Sequence, residues 1–120
     1  MVKRSPKHHK NWGDKEQELL REKRIKYHVA RSTAKRLGIS WSTGFEEINW
    51  VDTCPVLSIP INYLSEGRTD NSCAIDRYDK SGGYTPDNTF VCSWRAKRLR
   101  SDGLDYEHTN IGKFFEYHLS

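Results

Sequence analysis

Residues 71–102, NSCAIDRYDKSGGYTPDNTFVCSWRAKRLRSD, constrain this chain more than any other stretch. Two short apolar runs, 73–78 and 89–93, flank a polar loop that holds Gly82, Gly83 and Pro86. Runs of that length bounded by turn residues predict strands. Residues 94–101 then predict a helix, with Ser93 as its cap and Asp102-Gly103 closing it. The order is a strand, a glycine loop, a second strand and a basic helix. It sets a small antiparallel pair with a helix packed on it as the core of the fold.

The rest of the chain supplies a second helix. Residues 15–37 place Leu20, Tyr27, Ala30, Ala34 and Leu37 on one apolar face, with Asp14 as the expected cap and Gly38 as the stop. The opposite face carries Arg21, Lys23, Arg24, Lys26, Arg31, Lys35 and Arg36. Acidic residues crowd the first turns, where the helix dipole favours them, so the basic half is the C-terminal half. Residues 39–41 predict a short strand and 43–50 a short helix. Residues 51–62 predict extended or edge structure broken by Pro55 and Pro60. A last helix is expected over 110–119. The expected class is therefore α+β, with a flexible basic arm over 1–13 and a single domain over 14–120 whose core is about 72–102.

Composition narrows the function classes. The formal charge is +4, and the excess is clustered at 3–10, 21–36 and 95–100. Clustered positive charge suits a phosphate backbone, although the same runs also suit solvated helix faces. No apolar run reaches the length of a membrane span, and the basic start lacks the apolar segment of a secretory signal, so an intracellular setting is expected. Cys54, Cys73 and Cys92 form no C-x-x-C pair and have no zinc-ligand spacing. They read as small buried apolar residues, with neither a disulfide framework nor structural zinc expected. His8-His9 is a pair, but it sits in a Lys-rich, apolar-poor tail and reads as solvated; His28, His108 and His118 show no ligand pairing.

The ordered set of CPVL, NS, DRYD, GY, Asn88 and WRA resembles the HNH (ββα-metal) endonuclease family. The resemblance is to the phage-type variant with Asp-Arg-x-Asp in place of the paired histidines. It covers roughly 28–104, since ARSTAKRLGISW followed by CPVLSIPI is similar to the family's upstream segment. It implies that Asp76 is the ligand of a single divalent ion, Mg²⁺ or Mn²⁺, bound to the scissile phosphate. Arg77 stands where the family usually has its base histidine. A guanidinium cannot serve as a base, so Arg77 is expected to clamp a phosphate oxygen. Asp79 is a candidate base or the start of a turn. Asn88 matches the family's loop-organising Asn.

Lys97 departs from the pattern. Nine positions beyond Asn88 the family places an Asn or His as second metal ligand, and this chain has WRAKRLRSD where related phage sequences read approximately WRANRLKSD. An ammonium has donors only. Beside Asp76 it would repel a divalent ion and attract the carboxylate. Opposite unit charges about 4 Å apart gain about 4 kcal/mol at an effective dielectric near 20.

Three outcomes stay open: a lapsed nuclease kept for binding, a weak nuclease whose metal rests on Asp76 and the phosphate, or a lysine that points away. The resemblance thus implies an endonuclease acting on double-stranded DNA in the cytoplasm of an infected bacterial host. The rival is a lapsed HNH-fold protein acting as a DNA-binding or inhibitory, counter-defence partner. A packaging accessory is a third reading, for which only charge speaks. In each of the first two, Arg31, Lys35, Arg36, Arg95, Arg98 and Arg100 are expected to track the DNA backbone.

Overall fold

The computed structural model describes residues 13–64 and 67–102. The basic arm up to residue 12, the expected helix over 110–119, and His8, His9, His108 and His118 lie outside the described residues. Within them the chain is α+β: two helices and one antiparallel pair of strands.

Helix α1 runs over Asp14–Arg36. Its cap is Gly13, whose carbonyl accepts from the Gln17 N–H at 3.1 Å, so Asp14 is the first helical residue and not the cap. Asp14 and Glu16 sit in the first turn and Lys35 and Arg36 in the last, each complementing the helix dipole. The C-terminus closes with two backbone bonds: Gly38 N–H to Lys35 O at 3.1 Å and Ile39 N–H to Ala34 O at 2.8 Å. That closure requires a left-handed residue, which Gly38 supplies at φ +73°. Because the chain turns there, Leu37 leaves the apolar face and is 59% exposed, contrary to the periodicity. Tyr27 and Ala34 are the buried members of that face.

Strand β1 covers Cys73–Arg77 and strand β2 covers Thr89–Ser93. Their register pairs Cys73 with Ser93, Ile75 with Val91 and Arg77 with Thr89. Both are buried along nearly their whole length, because the pair is covered on both sides. Helix α2, Trp94–Asp102, follows β2 without a loop. Ser93 Oγ accepts from the Ala96 N–H at 3.2 Å, a side-chain cap. The Trp94 and Arg95 N–H groups bond to Ser72 O at 2.7 Å and Asp70 O at 3.1 Å, so the first turn of α2 is docked on the chain entering β1.

The segments between α1 and β1 are less regular than their sequence predicts. Residues 39–41 contribute one parallel bridge, Trp41 with Tyr84, held by Ser42 N–H to Tyr84 O at 2.8 Å and Tyr84 N–H to Ser40 O at 2.9 Å. Gly83 permits that approach: a β-carbon there would lie 2.0 Å from Ser40 Oγ and 3.0 Å from Ser40 O. The expected helix over 43–50 shrinks to one 3₁₀ turn, Phe45–Glu47. Residues 51–62 fold back on themselves through a Thr53–Pro60 bridge, with Ser58 in the left-handed region at φ +59°.

An aromatic cluster joins these pieces to α1. Tyr27 Oη donates to Thr43 O at 2.7 Å, and its ring meets Trp41 and Phe45 edge-on. The three thiols are free and buried. Burial pushes Cys73 up to about 12 and Cys92 well above its ordinary value, so both are held as neutral thiols. Among the described residues no helix is long and apolar enough to cross a membrane.

Candidate functional site: the end of strand β1, its loop and helix α2

The loop from β1 to β2 is built around Asn88. Its Oδ1 accepts from the Asp79 N–H at 2.9 Å, and its Nδ2 donates to Asp79 O and Gly83 O, both at 2.9 Å. The Asp79 N–H depends on this side chain, while the two carbonyls also accept from the Gly82 and Thr85 N–H groups, both at 3.1 Å, so Asn88 adds a second tie to bonds the loop makes for itself. Asp79 starts a turn of its own: Oδ1 accepts from the Ser81 N–H at 2.9 Å and from Ser81 Oγ at 2.6 Å. These bonds to Ser81 hold the exposed carboxyl below its ordinary value of 3.8. A carboxylate stabilised in that way is a poorer proton acceptor, which speaks against Asp79 as a base.

Arg77 faces the loop. Its Nη1 donates to Lys80 O at 2.8 Å and Gly82 O at 2.6 Å, and its guanidinium lies 5.2 Å from the centre of the Tyr84 ring. The phosphate clamp expected from sequence is therefore engaged as a brace for the loop.

Asp76 is buried, with 3% of its surface exposed. Its Oδ1 accepts from the Arg77 N–H at 2.8 Å, and its Oδ2 lies 3.4 Å from Arg100 Nη1. The same guanidinium donates to Arg77 O and, at 2.5 Å, to Tyr78 O. Lys97 Nζ donates to Ile75 O at 2.9 Å. The sequence singles out Lys97 as the cation that would face Asp76. The structure gives that part to Arg100, one helical turn later, while Lys97 caps the neighbouring carbonyl. Arg100 is thereby engaged at the end of β1 and does not stand out to track a backbone. The i, i+3 spacing of Lys97 and Arg100 was the available signal, since it sets both on one side of α2.

These residues do not fit a resident Mg²⁺ or Mn²⁺. Such ions take several oxygen ligands in near-octahedral order. At the end of β1 both oxygens of the Asp76 carboxylate are engaged, and the Asp79 carboxylate is tied to Ser81 in its own turn. Among the described residues no three His, Cys, Asp or Glu side chains gather as a metal-binding group. Lys97 occupies the position where the resemblance expects a second ligand and is bonded to Ile75 O, and Arg100 stands against Asp76 itself.

The remaining basic residues divide by environment. Arg31, Lys35 and Arg36 are exposed on the last turns of α1. Lys23 lies over the Tyr63 ring at 5.0 Å, Arg24 over Phe45 at 4.3 Å, and Lys26 pairs with Glu22 at 3.5 Å, so the middle of the basic face is folded onto the protein. Arg95 and Arg98 share Asp70, at 3.4 and 3.7 Å. The site thus brings together Asp76, Arg77, Asp79, Asn88, Lys97 and Arg100. Arg31, Lys35 and Arg36 belong to another element. Between α1 and β1 lies an open groove of ≈ 620 Å³, walled by Ile25 and Val29 and edged by Lys26, Arg68 and Lys97, which no motif in the sequence signals.

Comparison with known proteins finds no matching family model, no matching curated protein and no matching solved structure.

Proposed function

We propose that the chain is an HNH-like ββα domain that binds double-stranded DNA and has given up metal-dependent cleavage. The closure of Asp76 by Arg100 is the observation that supports this most. In a metal nuclease the strand-end carboxylate must be free to hold an ion that stabilises the leaving oxygen. Here it is buried and paired. The exposed Arg31, Lys35 and Arg36 at the end of α1 supply positive charge of the kind that neutralises phosphates. Such contacts give affinity that falls steeply with salt and reads little sequence. In this reading the protein acts by occupying DNA, or as an inhibitory partner built on a nuclease scaffold.

One observation favours the active endonuclease as a second reading. The Asn88 side chain fixes the loop directly behind the strand-end acid, the arrangement that the resemblance to the phage-type family implies for catalysis. The two readings separate in one experiment. Supercoiled plasmid is incubated with the wild type and with Asp76→Ala in Mg²⁺, Mn²⁺ or EDTA, and binding to a labelled duplex is followed in parallel. Binding in every buffer, with no cleavage in Mg²⁺ or Mn²⁺, supports the proposal. Metal-dependent cleavage lost in Asp76→Ala establishes the endonuclease.

A further inference from the structure

We infer that Arg100 is a resident cation, which takes the place at Asp76 that a divalent ion would hold and shuts that place to Mg²⁺ and Mn²⁺. The inference rests on the reading of the β1 end as an HNH-like site, but it concerns ion binding and not DNA. A carboxylate buried as deeply as Asp76 needs a compensating charge. The guanidinium provides one that no chelator removes. Its fork also does a metal's cross-linking work. From the last turn of α2 it reaches Asp76 Oδ2, Arg77 O and Tyr78 O, and so ties the helix to the exit of β1. Lys97 completes the arrangement one turn earlier by holding Ile75 O. Three consecutive residues of the strand end, and Ile75 before them, are thus served by two cationic side chains of one helix.

An ion entering this place would displace the guanidinium from both the carboxylate and the carbonyls. It would still face the Lys97 ammonium. Removing both cations leaves Asp76 with an unpaired oxygen and, in Lys97→Asn, adds a neutral oxygen donor on the same side of α2. The divalent site is therefore latent, closed by two residues.

The test reads Mn²⁺ directly, from loss of the free-ion electron paramagnetic resonance signal, together with thermal melting in Mn²⁺ and in EDTA. The wild type is expected to take up no Mn²⁺ that depends on Asp76, and to melt at the same temperature in both. The double variant Lys97→Asn, Arg100→Gln is expected to bind one Mn²⁺ per chain and to melt higher as Mn²⁺ is added. Adding Asp76→Asn to it should abolish both effects. Wild-type uptake of one Mn²⁺ per chain that is lost in Asp76→Asn overturns the inference, as does a folded double variant that takes up none. Because Arg100 also holds backbone carbonyls, folding is followed by circular dichroism. A double variant that is unfolded in EDTA and refolds on Mn²⁺ supports the inference, and one that stays unfolded in Mn²⁺ overturns it. Failure of DNA binding leaves every one of these outcomes unchanged.

Discussion

The guanidinium of Arg100 lies 3.4 Å from the buried carboxylate of Asp76, and it reaches there from the last turn of the helix that follows β2. The pair closes the end of the two-stranded sheet with two groups that each need the other. Removing one partner strands a charge in the interior, which costs more than the pair itself contributes. Arg100→Ala should therefore destabilise the fold by about 3–5 kcal/mol. Adding Asp76→Asn should recover part of that loss, because the stranded charge goes with it. Urea unfolding of the wild type and these two variants measures both numbers, and an Arg100→Ala effect below about 1 kcal/mol would show that the pair contributes no more than an exposed one.

Asn88 carries the loop. Its replacement by Ala leaves the Asp79 N–H without its side-chain partner, while the Asp79 and Gly83 carbonyls lose one of two donors and keep the Gly82 and Thr85 N–H groups. The expected cost is about 1 kcal/mol, because these groups are exposed or keep a second partner. The loss should be local: amide exchange should speed up at Asp79 and its loop neighbours while the amides of β2 stay protected. Equal acceleration in loop and strand would contradict this role.

Asp79 gives a pH signature with a defined sign. Its folded carboxyl is held below 3.8 by the two bonds from Ser81. A depressed folded value means that the contribution is whole above the ordinary carboxylate range and is lost as pH falls through the folded value. The effect is thus confined to acid. In a carbon NMR titration the Asp79 midpoint should lie below 3.8 in the wild type and rise toward it in Ser81→Ala. An unchanged midpoint would remove the Ser81 hydroxyl as the cause.

Binding to phosphate should come from the end of α1. Replacing Arg31, Lys35 and Arg36 by Ala should weaken duplex binding to the same degree on unrelated sequences. The slope of log affinity against log salt should become shallower by about 0.9 for each phosphate that is no longer neutralised. An unaltered slope would move the interface to another face. Leu37, exposed beside these residues, should contribute little to the salt dependence.

What the sequence made legible was local. The alternation of apolar and turn residues marked β1, β2 and α2 closely, whereas Asn88 stood out only through the resemblance to the phage-type family. Asp79 was legible in part, since a short polar side chain two residues before a serine is a turn signal. The functions of Arg77 and Arg100 were hidden. Both look like free surface charge along the chain, and only the fold sets loop carbonyls around one and a buried carboxylate beside the other. Leu37 misled for the opposite reason: helical periodicity continued past the point where Gly38 turns the chain. The stretch 39–50 was overread because its order comes from Tyr84, Gly83 and the Tyr27 cluster, which are distant in sequence.

DNA binding without cleavage is tested most directly by fluorescence anisotropy of a labelled duplex. The wild type is titrated in EDTA and in Mg²⁺, and the recovered DNA is then run on a denaturing gel. The same salt-sensitive binding is predicted in both buffers, with intact strands afterwards. Cleaved strands in Mg²⁺ alone, or no binding in either buffer, would contradict it.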